Sequence, residues 1–255
     1  METQRFASFD GVELAVHRLS PEAGSARPVL LLHGLFSSAQ VNWVRFGTAA
    51  TLVAAGFEAI MPDLRVHGAS DAPQDPAAYP PDVLVKDVLA LTDALGLEPG
   101  GFDLVGFSLG ARTAVQAVLA GLSPRKLVLG GMGLEGLGEW QRRSAFFIDA
   151  IDRFDEIRSA DDPAYMAKSF MRTMKIDRAA ARLLLLSVQD TPPGALSGIA
   201  MPTLVVCGKD DTDNGSAPAL AAALPQASYA QIPGTHMSSV TEAALGEAIA
   251  AFLAT

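Results

Sequence analysis

The stretch Leu104-Val105-Gly106-Phe107-Ser108-Leu109-Gly110-Ala111 constrains the chain more than any other. A strand-like run over residues 102–105 leads into it, and an alanine-rich run over 111–119 follows, stopping at Gly121 before Ser123-Pro124. A strand must therefore turn into a helix within a few residues. Glycine at 106 and 110 suits such a turn, because strand and helix pass too closely for a Cβ, and the strained corner presents the residue between them. That residue is Ser108. A serine hydroxyl is a weak nucleophile by itself, so chemistry there needs a base within hydrogen-bond reach and donors for a developing oxyanion. The N–H of Leu109, at the head of the helix, is one such donor.

The rest of the chain repeats the theme. Residues 5–8 and 13–17 flank Asp10-Gly11, a pair that favours positive φ and predicts an antiparallel hairpin. His17 falls in its second strand and reads as a polar residue on a solvated face. Residues 28–32 are apolar at every position, as in a parallel strand covered on both faces. They exit at His33-Gly34-Leu35-Phe36. Gly34 lets this loop approach the corner at Ser108, so the Leu35 N–H forms a second oxyanion donor beside that of Leu109. His33 reads as a structural hydrogen-bonding residue. A helix at about 46–55 closed by Gly56, a strand at 57–61, a helix with apolar spacing from Val83 to Leu95, and a strand at 126–130 continue the alternation. For the second helix Asp82 is the expected N-cap and Gly96 the stop. The pattern predicts an α/β chain with a mostly parallel, doubly wound sheet and an antiparallel N-terminal edge.

From 131 to 195 only helical patterns occur, at about 140–154, 163–174 and 177–188. The expected organisation is a core over 1–130, a small helical cap over 131–195, and the rest of the core over 196–255. Phe146, Phe147, Phe154, Tyr165, Met166, Phe170 and Met174 give the cap apolar surface, part of which would line a pocket. Strand character resumes at 202–207 and ends in Gly208-Lys209-Asp210-Asp211-Thr212-Asp213, where carboxylates crowd the exit. A last strand at 228–232 leads to His236, and a helix at about 241–253 follows. His236 alone of the four histidines follows Ser108. Ligands of open parallel sheets bind outside the carboxyl ends of the strands, where Ser108, His236, Leu35, Leu109 and one of the three aspartates converge.

At this point the chain resembles the α/β-hydrolase family, through His33-Gly34, Asp63-Leu64-Arg65-x-His67-Gly68-x-Ser70, the serine corner, Gly208-x-x-Asp211 and His236. The resemblance implies that Asp211 orients His236, which takes the proton of Ser108. It also implies hydrolysis of an ester or lactone of a small to medium apolar substrate. Carbon–carbon bond hydrolases, thioesterases, perhydrolases and aminopeptidases of the family use the same triad, and a non-hydrolytic ligand-binding member is the reading from another class. Serine at 108 disfavours haloalkane dehalogenases and epoxide hydrolases, which carry aspartate there. Two departures stand out: Val66 occupies a position where the family usually has glycine, and no third glycine follows His33-Gly34.

Composition narrows the partners. With 255 residues, 49% of them hydrophobic, the chain can bury one large core. A net charge of −9 argues against nucleic acid and against anionic membranes. The expected partner is therefore a small-molecule substrate, and the oligomeric state stays open. Cys207, the single cysteine, closes an apolar strand and reads as a buried small hydrophobe. No histidine pair has metal-ligand spacing, so neither metal nor cofactor is expected. No apolar run approaches a membrane span and no signal sequence is evident, which makes a cytoplasmic protein the expectation.

Overall fold

The computed structural model describes residues 1–22 and 26–255. Strand β1 (Glu2–Ala7) pairs antiparallel with β2 (Glu13–Leu19) across the expected turn, in which Gly11 has φ 83°. The chain continues through β3 (Arg27–Leu32), a π-helical turn at Gln40–Val44, α1 (Thr48–Ala54), β4 (Phe57–Pro62), α2 (Val83–Ala94), β5 (Asp103–Phe107), α3 (Leu109–Leu119) and β6 (Leu127–Gly130). Four helices follow before the next strand: α4 (Leu134–Gly138), α5 (Trp140–Asp152), α6 (Tyr165–Thr173) and α7 (Arg178–Ser187). The chain then completes the sheet with β7 (Thr203–Gly208), α8 (Ala217–Ala223), β8 (Ala227–Ile232) and α9 (Ala243–Ala254).

The eight strands lie in the order β1-β2-β4-β3-β5-β6-β7-β8, antiparallel at β1/β2 and β2/β4 and parallel elsewhere. From β3 the chain crosses to β4 on one side, whereas β5 lies on the other. The crevice of such a sheet opens between the carboxyl ends of β3 and β5, where the residues after Leu32 and after Phe107 meet.

Alternation along the strands explains why residues 28–32 are apolar at every position. In β3, Leu30 and Leu32 join one buried cluster with Val83, Val88, Ala111, Ala114 and Val115 of α2 and α3. Val29 and Leu31 join the other, with Ala49, Leu52, Leu245, Ile249 and Leu253 of α1 and α9. Side chains two apart share a face, so a strand sandwiched between helices must be apolar at both parities. Among the described residues no helix is long and apolar enough to cross a membrane.

Several local expectations change. Asp82 precedes α2 but does not cap it: its backbone is left-handed (φ 54°) and its carboxylate instead accepts the Gln189 N–H at 3.0 Å. His17 is not solvated. Its side chain is 12% exposed, with Nε2 3.1 Å from Asp63 and Nδ1 2.8 Å from Thr3 Oγ1, because β2 lies inside the sheet against β4 rather than at its rim. Helix α1 starts at Thr48, after Gly47 has taken a left-handed conformation. The π-helical turn, α4 and α8 have no counterpart in the sequence reading, although Ser216, whose hydroxyl accepts the Ala219 N–H, is a recognisable cap for α8.

Candidate active site

Ser108 stands at the junction of β5 and α3 with φ 54° and ψ −113°, a conformation that non-glycine residues avoid. What holds it there is close packing on both sides. A Cβ on Gly106 would lie 2.3 Å from the Gly110 carbonyl oxygen, and one on Gly110 would lie 2.0 Å from the Leu32 carbonyl oxygen. Only two glycines let α3 descend onto β3 and β5 this closely. Ser108 is 7% exposed, so it sits at the floor of a cavity rather than on an open surface.

The structure brings together the residues selected from the sequence. Ser108 Oγ is 3.0 Å from His236 Nε2, and His236 Nδ1 is 2.9 Å from Asp211 Oδ2. Of the three aspartates at the β7 exit, Asp211 alone reaches the imidazole: Asp210 is exposed, and the carboxylate of Asp213 faces Arg143 at 3.8 Å. Burial pushes the Asp211 carboxyl up, but the His236 contact, the Asp213 N–H and the Cys207 thiol outweigh it and hold the pKa below the usual carboxylate value. Cys207 is itself buried. Desolvation and the Asp211 charge raise its thiol to about 12, so it offers no thiolate at neutral pH.

The loop after β3 completes the arrangement. The Gly34 N–H donates to Asn42 Oδ1 at 3.0 Å and the Phe36 N–H donates to His67 Nε2 at 2.9 Å. Among the described residues, the Leu35 and Leu109 N–H groups donate to nothing. Phe36 takes the left-handed conformation (φ 58°) without being glycine, held by that bond and by its ring packing edge-on against Phe147 at 5.5 Å. Val66, at a second position of this kind, has φ 79°. It is anchored by its N–H to the Asp71 carbonyl and by a side chain that is buried in the core.

Behind the loop lies a scaffold of buried polar groups. His33 accepts the Leu64 N–H and bonds the Gly34 carbonyl through Nδ1, while His67 bonds the Arg65 carbonyl. Both imidazoles are held below their ordinary pKa, His67 at about 3, chiefly by burial; neutral rings can accept these amides as imidazolium ions could not. Asp63 accepts the Ala39 and Ala69 N–H groups, each at 2.8 Å. The Asp63-to-Ser70 motif is thus structural support for the loop that carries Leu35.

The cavity above Ser108 has a volume of about 850 Å³. Phe36 and Phe46 line it from the body, and Phe146, Phe147, Met166 and Phe170 line it from α5 and α6. Phe154, Tyr165 and Met174, also expected on this surface, pack against the core instead.

A model of the alpha/beta hydrolase family matches residues 29–251. The chain belongs to the alpha/beta hydrolase family. It is 37% identical to an epoxide hydrolase of Caballeronia sordidicola over 109 residues, covering 43% of this chain and 32% of that protein. It is 38% identical to epoxide hydrolase 2 of Siraitia grosvenorii over 91 residues, 36% of this chain and 27% of the other. The matches therefore span about a third of these relatives. Among solved structures, an esterase from Exiguobacterium antarcticum superposes with a TM-score of 0.77 at 18% identity, covering all of both chains. The enol-lactonase of Burkholderia xenovorans LB400 gives 0.73 at 22% identity, over 99% of this chain and 100% of the other. At these identities the structural likeness concerns the fold.

Three residues of this alpha/beta hydrolase were not selected from its sequence. Asn42, in the π-helical turn, orients Gly34, yet no residue pattern in that stretch marks it. Arg143 follows a charged neighbour on α5 and looks like a solvated side chain. Arg112 carried a signal: it lies four residues after Ser108 in a helix face otherwise filled by Ala111, Ala114, Val115 and Val118, where a charge is out of place.

Proposed function

We propose that this alpha/beta hydrolase cleaves an ester or lactone of a small to medium apolar substrate through an acyl-enzyme at Ser108. The observation that carries the reading is the hydrogen-bonded series Ser108–His236–Asp211, ending at the floor of an apolar cavity beside two undonated backbone N–H groups. In the proposed sequence, Ser108 Oγ attacks the substrate carbonyl as its proton passes to His236 Nε2. The oxyanion accepts from the Leu35 and Leu109 N–H groups. Collapse expels the alcohol, which takes the proton from His236. Water then attacks the acyl-enzyme with His236 again as base, releasing the acid and restoring Ser108. Asp211 holds the Nδ1 proton and steadies the imidazolium at each transfer.

The chemistry of the nucleophile argues against epoxide opening, the activity in the names of the curated relatives. Attack by a carboxylate on an epoxide leaves an ester that water can cleave at its carbonyl. Attack by a serine hydroxyl leaves an ether, which has no carbonyl and ends the cycle. A fluorophosphonate probe should label Ser108, and Ser108→Ala should lower kcat on nitrophenyl esters by on the order of 10⁴-fold or more without changing the melting temperature appreciably. Substantial turnover by pure Ser108→Ala protein would overturn the assignment. A panel of acyl lengths, with a vinylogous diketone and an aminoacyl anilide, separates ester cleavage from carbon–carbon and amide cleavage.

A further inference from the structure

The chain carries a net charge of −9, yet its cavity is lined by Arg112, Arg142 and Arg143 against one carboxylate, Asp213. The arginines differ in how they are neutralised. Elsewhere in the molecule, the fully buried Arg65 shows what a structural guanidinium looks like here: it is bidentate to Asp87, at 3.0 and 2.7 Å, and bidentate to Asp10, at 2.7 and 2.9 Å. Arg142 is exposed and paired with Glu139 at 2.7 Å. Arg112 and Arg143 have no such partner. Arg112 donates to the carbonyls of Gly136 and Gln189 and stacks on Trp140 at 4.9 Å, while its nearest carboxylate, Asp190, stands 3.8 Å away. Arg143 donates to the Asp213 carbonyl, lies over Phe147, and has its nearest carboxylate oxygen at 3.8 Å.

Carbonyl dipoles satisfy donors without cancelling charge. Burial holds both guanidinium pKa values low, Arg112 at about 10, against the opposing charges of Asp190 on Arg112 and of Asp213 and Asp211 on Arg143; the charge of Arg143 lowers Arg112 further, and that of Arg142 lowers Arg143. Two guanidinium groups whose nearest carboxylate oxygens stand 3.8 Å away, together with Arg142, give the cavity more cationic than anionic side chains in a protein of opposite net charge. Arg143 retains 22% side-chain exposure and is placed to touch a ligand, whereas Arg112, stacked on Trp140 and 1% exposed, adds its field from the cavity wall. The two sit near the reacting atoms: Arg112 is one helical turn beyond Ser108, and Arg143 binds the carbonyl of Asp213, whose own N–H donates to Asp211.

We propose that this cavity binds a carboxylate on the substrate, held by Arg143 with Arg112 behind it, so that the substrate class is an ester or lactone bearing a second, ionised carboxyl group. The proposal rests on the hydrolytic reading of Ser108 for its kinetic arm but not for its binding arm. The apolar wall from Phe36, Phe147 and Phe170 takes the chain that joins the two carboxyl carbons.

The test compares mono(4-nitrophenyl) adipate with its neutral methyl ester, subtracting the uncatalysed rates. The expected kcat/KM ratio favours the anionic ester by about 10- to 100-fold, the range of one charge-assisted hydrogen-bond pair. That preference should shrink as salt rises, collapse in Arg143→Gln, and return in part in Arg143→Lys. The binding arm titrates monomethyl adipate and dimethyl adipate into Ser108→Ala protein. Preferential binding of the monoanion with no turnover of either nitrophenyl ester by the wild type would keep the anion site and remove the hydrolytic reading. Turnover of both esters at equal kcat/KM, with no salt dependence, would overturn the anion site and leave the hydrolase reading intact.

Discussion

Two hydroxyl–imidazole–carboxylate arrays occur among the described residues, and they invite comparison. In one, Thr3 Oγ1 lies 2.8 Å from His17 Nδ1 and His17 Nε2 lies 3.1 Å from Asp63. In the other, Ser108 Oγ lies 3.0 Å from His236 Nε2 and His236 Nδ1 lies 2.9 Å from Asp211. The distances alone hardly separate them. The surroundings do. Thr3 is on the exposed edge strand with regular pairing on β2, and it does not line the cavity above Ser108. Asp63 also accepts two loop amides, so its charge is committed to holding backbone. Ser108, by contrast, is held in a strained corner at a cavity floor beside two amides that donate to nothing among the described residues. The difference teaches that such an array becomes a candidate for chemistry through what presents its hydroxyl, not through the array itself.

The sharpest way to break this comparison is to disable each carboxylate. Asp211→Asn should lower kcat for ester hydrolysis by about 10³- to 10⁴-fold, because an asparagine can donate to Nδ1 and select the wrong imidazole tautomer. Asp210→Asn and Asp213→Asn should each stay within about tenfold of the wild type. Steady-state kinetics on a nitrophenyl ester decides it, and a crippled Asp213 variant would move the acid by two residues.

Asp63→Asn should do the reverse. Removing the charged acceptor of two backbone amides and of His17 should cost about 2–4 kcal/mol of stability, read as a lower urea midpoint. The kcat of the protein that remains folded should stay near the wild-type value. An activity loss as large as that of Asp211→Asn, without loss of stability, would erase the distinction between the two arrays.

The smallest effect concerns the neutral histidines of the scaffold. His67 has a folded-state pKa of about 3 against 6.5 when unfolded, so unfolding takes up a proton between those values. Its contribution to stability is complete above pH 6.5 and is lost as the pH falls toward 3, at about 1.4 kcal/mol per pH unit, or about 2 kcal/mol by pH 5. Asp63 and Asp211, whose pKa values are held low, keep their contributions down to about pH 5 and lose them only as the pH falls below the ordinary carboxylate value. Urea unfolding at pH 7 and pH 5 should show this loss, and His67→Gln should flatten it.

How legible the molecule was from its sequence depends on the kind of signal. The sheet was readable because parity along a covered strand favours apolar residues on both faces, as over residues 28–32 of β3. Ser108 was readable because only glycines permit the approach seen at Gly106 and Gly110. The acid was narrower in the structure than in the sequence: three aspartates crowd one turn, and its backbone turns Asp211 alone toward His236. Asn42 and Arg143 gave no signal, since their roles depend on partners distant in the chain. His17 was misread for a related reason, because its neighbours are set by which strand pairs with β2.

The sequence by itself determined local geometry: where strands turn into helices, which residues lack a Cβ, and which faces must be covered. These follow from sterics and from burial, both of which act within a few residues. Tertiary structure alone decided the long-range electrostatics. Arg65 found two carboxylates in bidentate contact and became part of the scaffold, while Arg112 and Arg143 found carbonyls and aromatic rings beside the cavity, with their nearest carboxylate oxygens 3.8 Å away. No pattern of neighbouring residues encodes that outcome, because the energy of a charge depends on every group the fold packs around it.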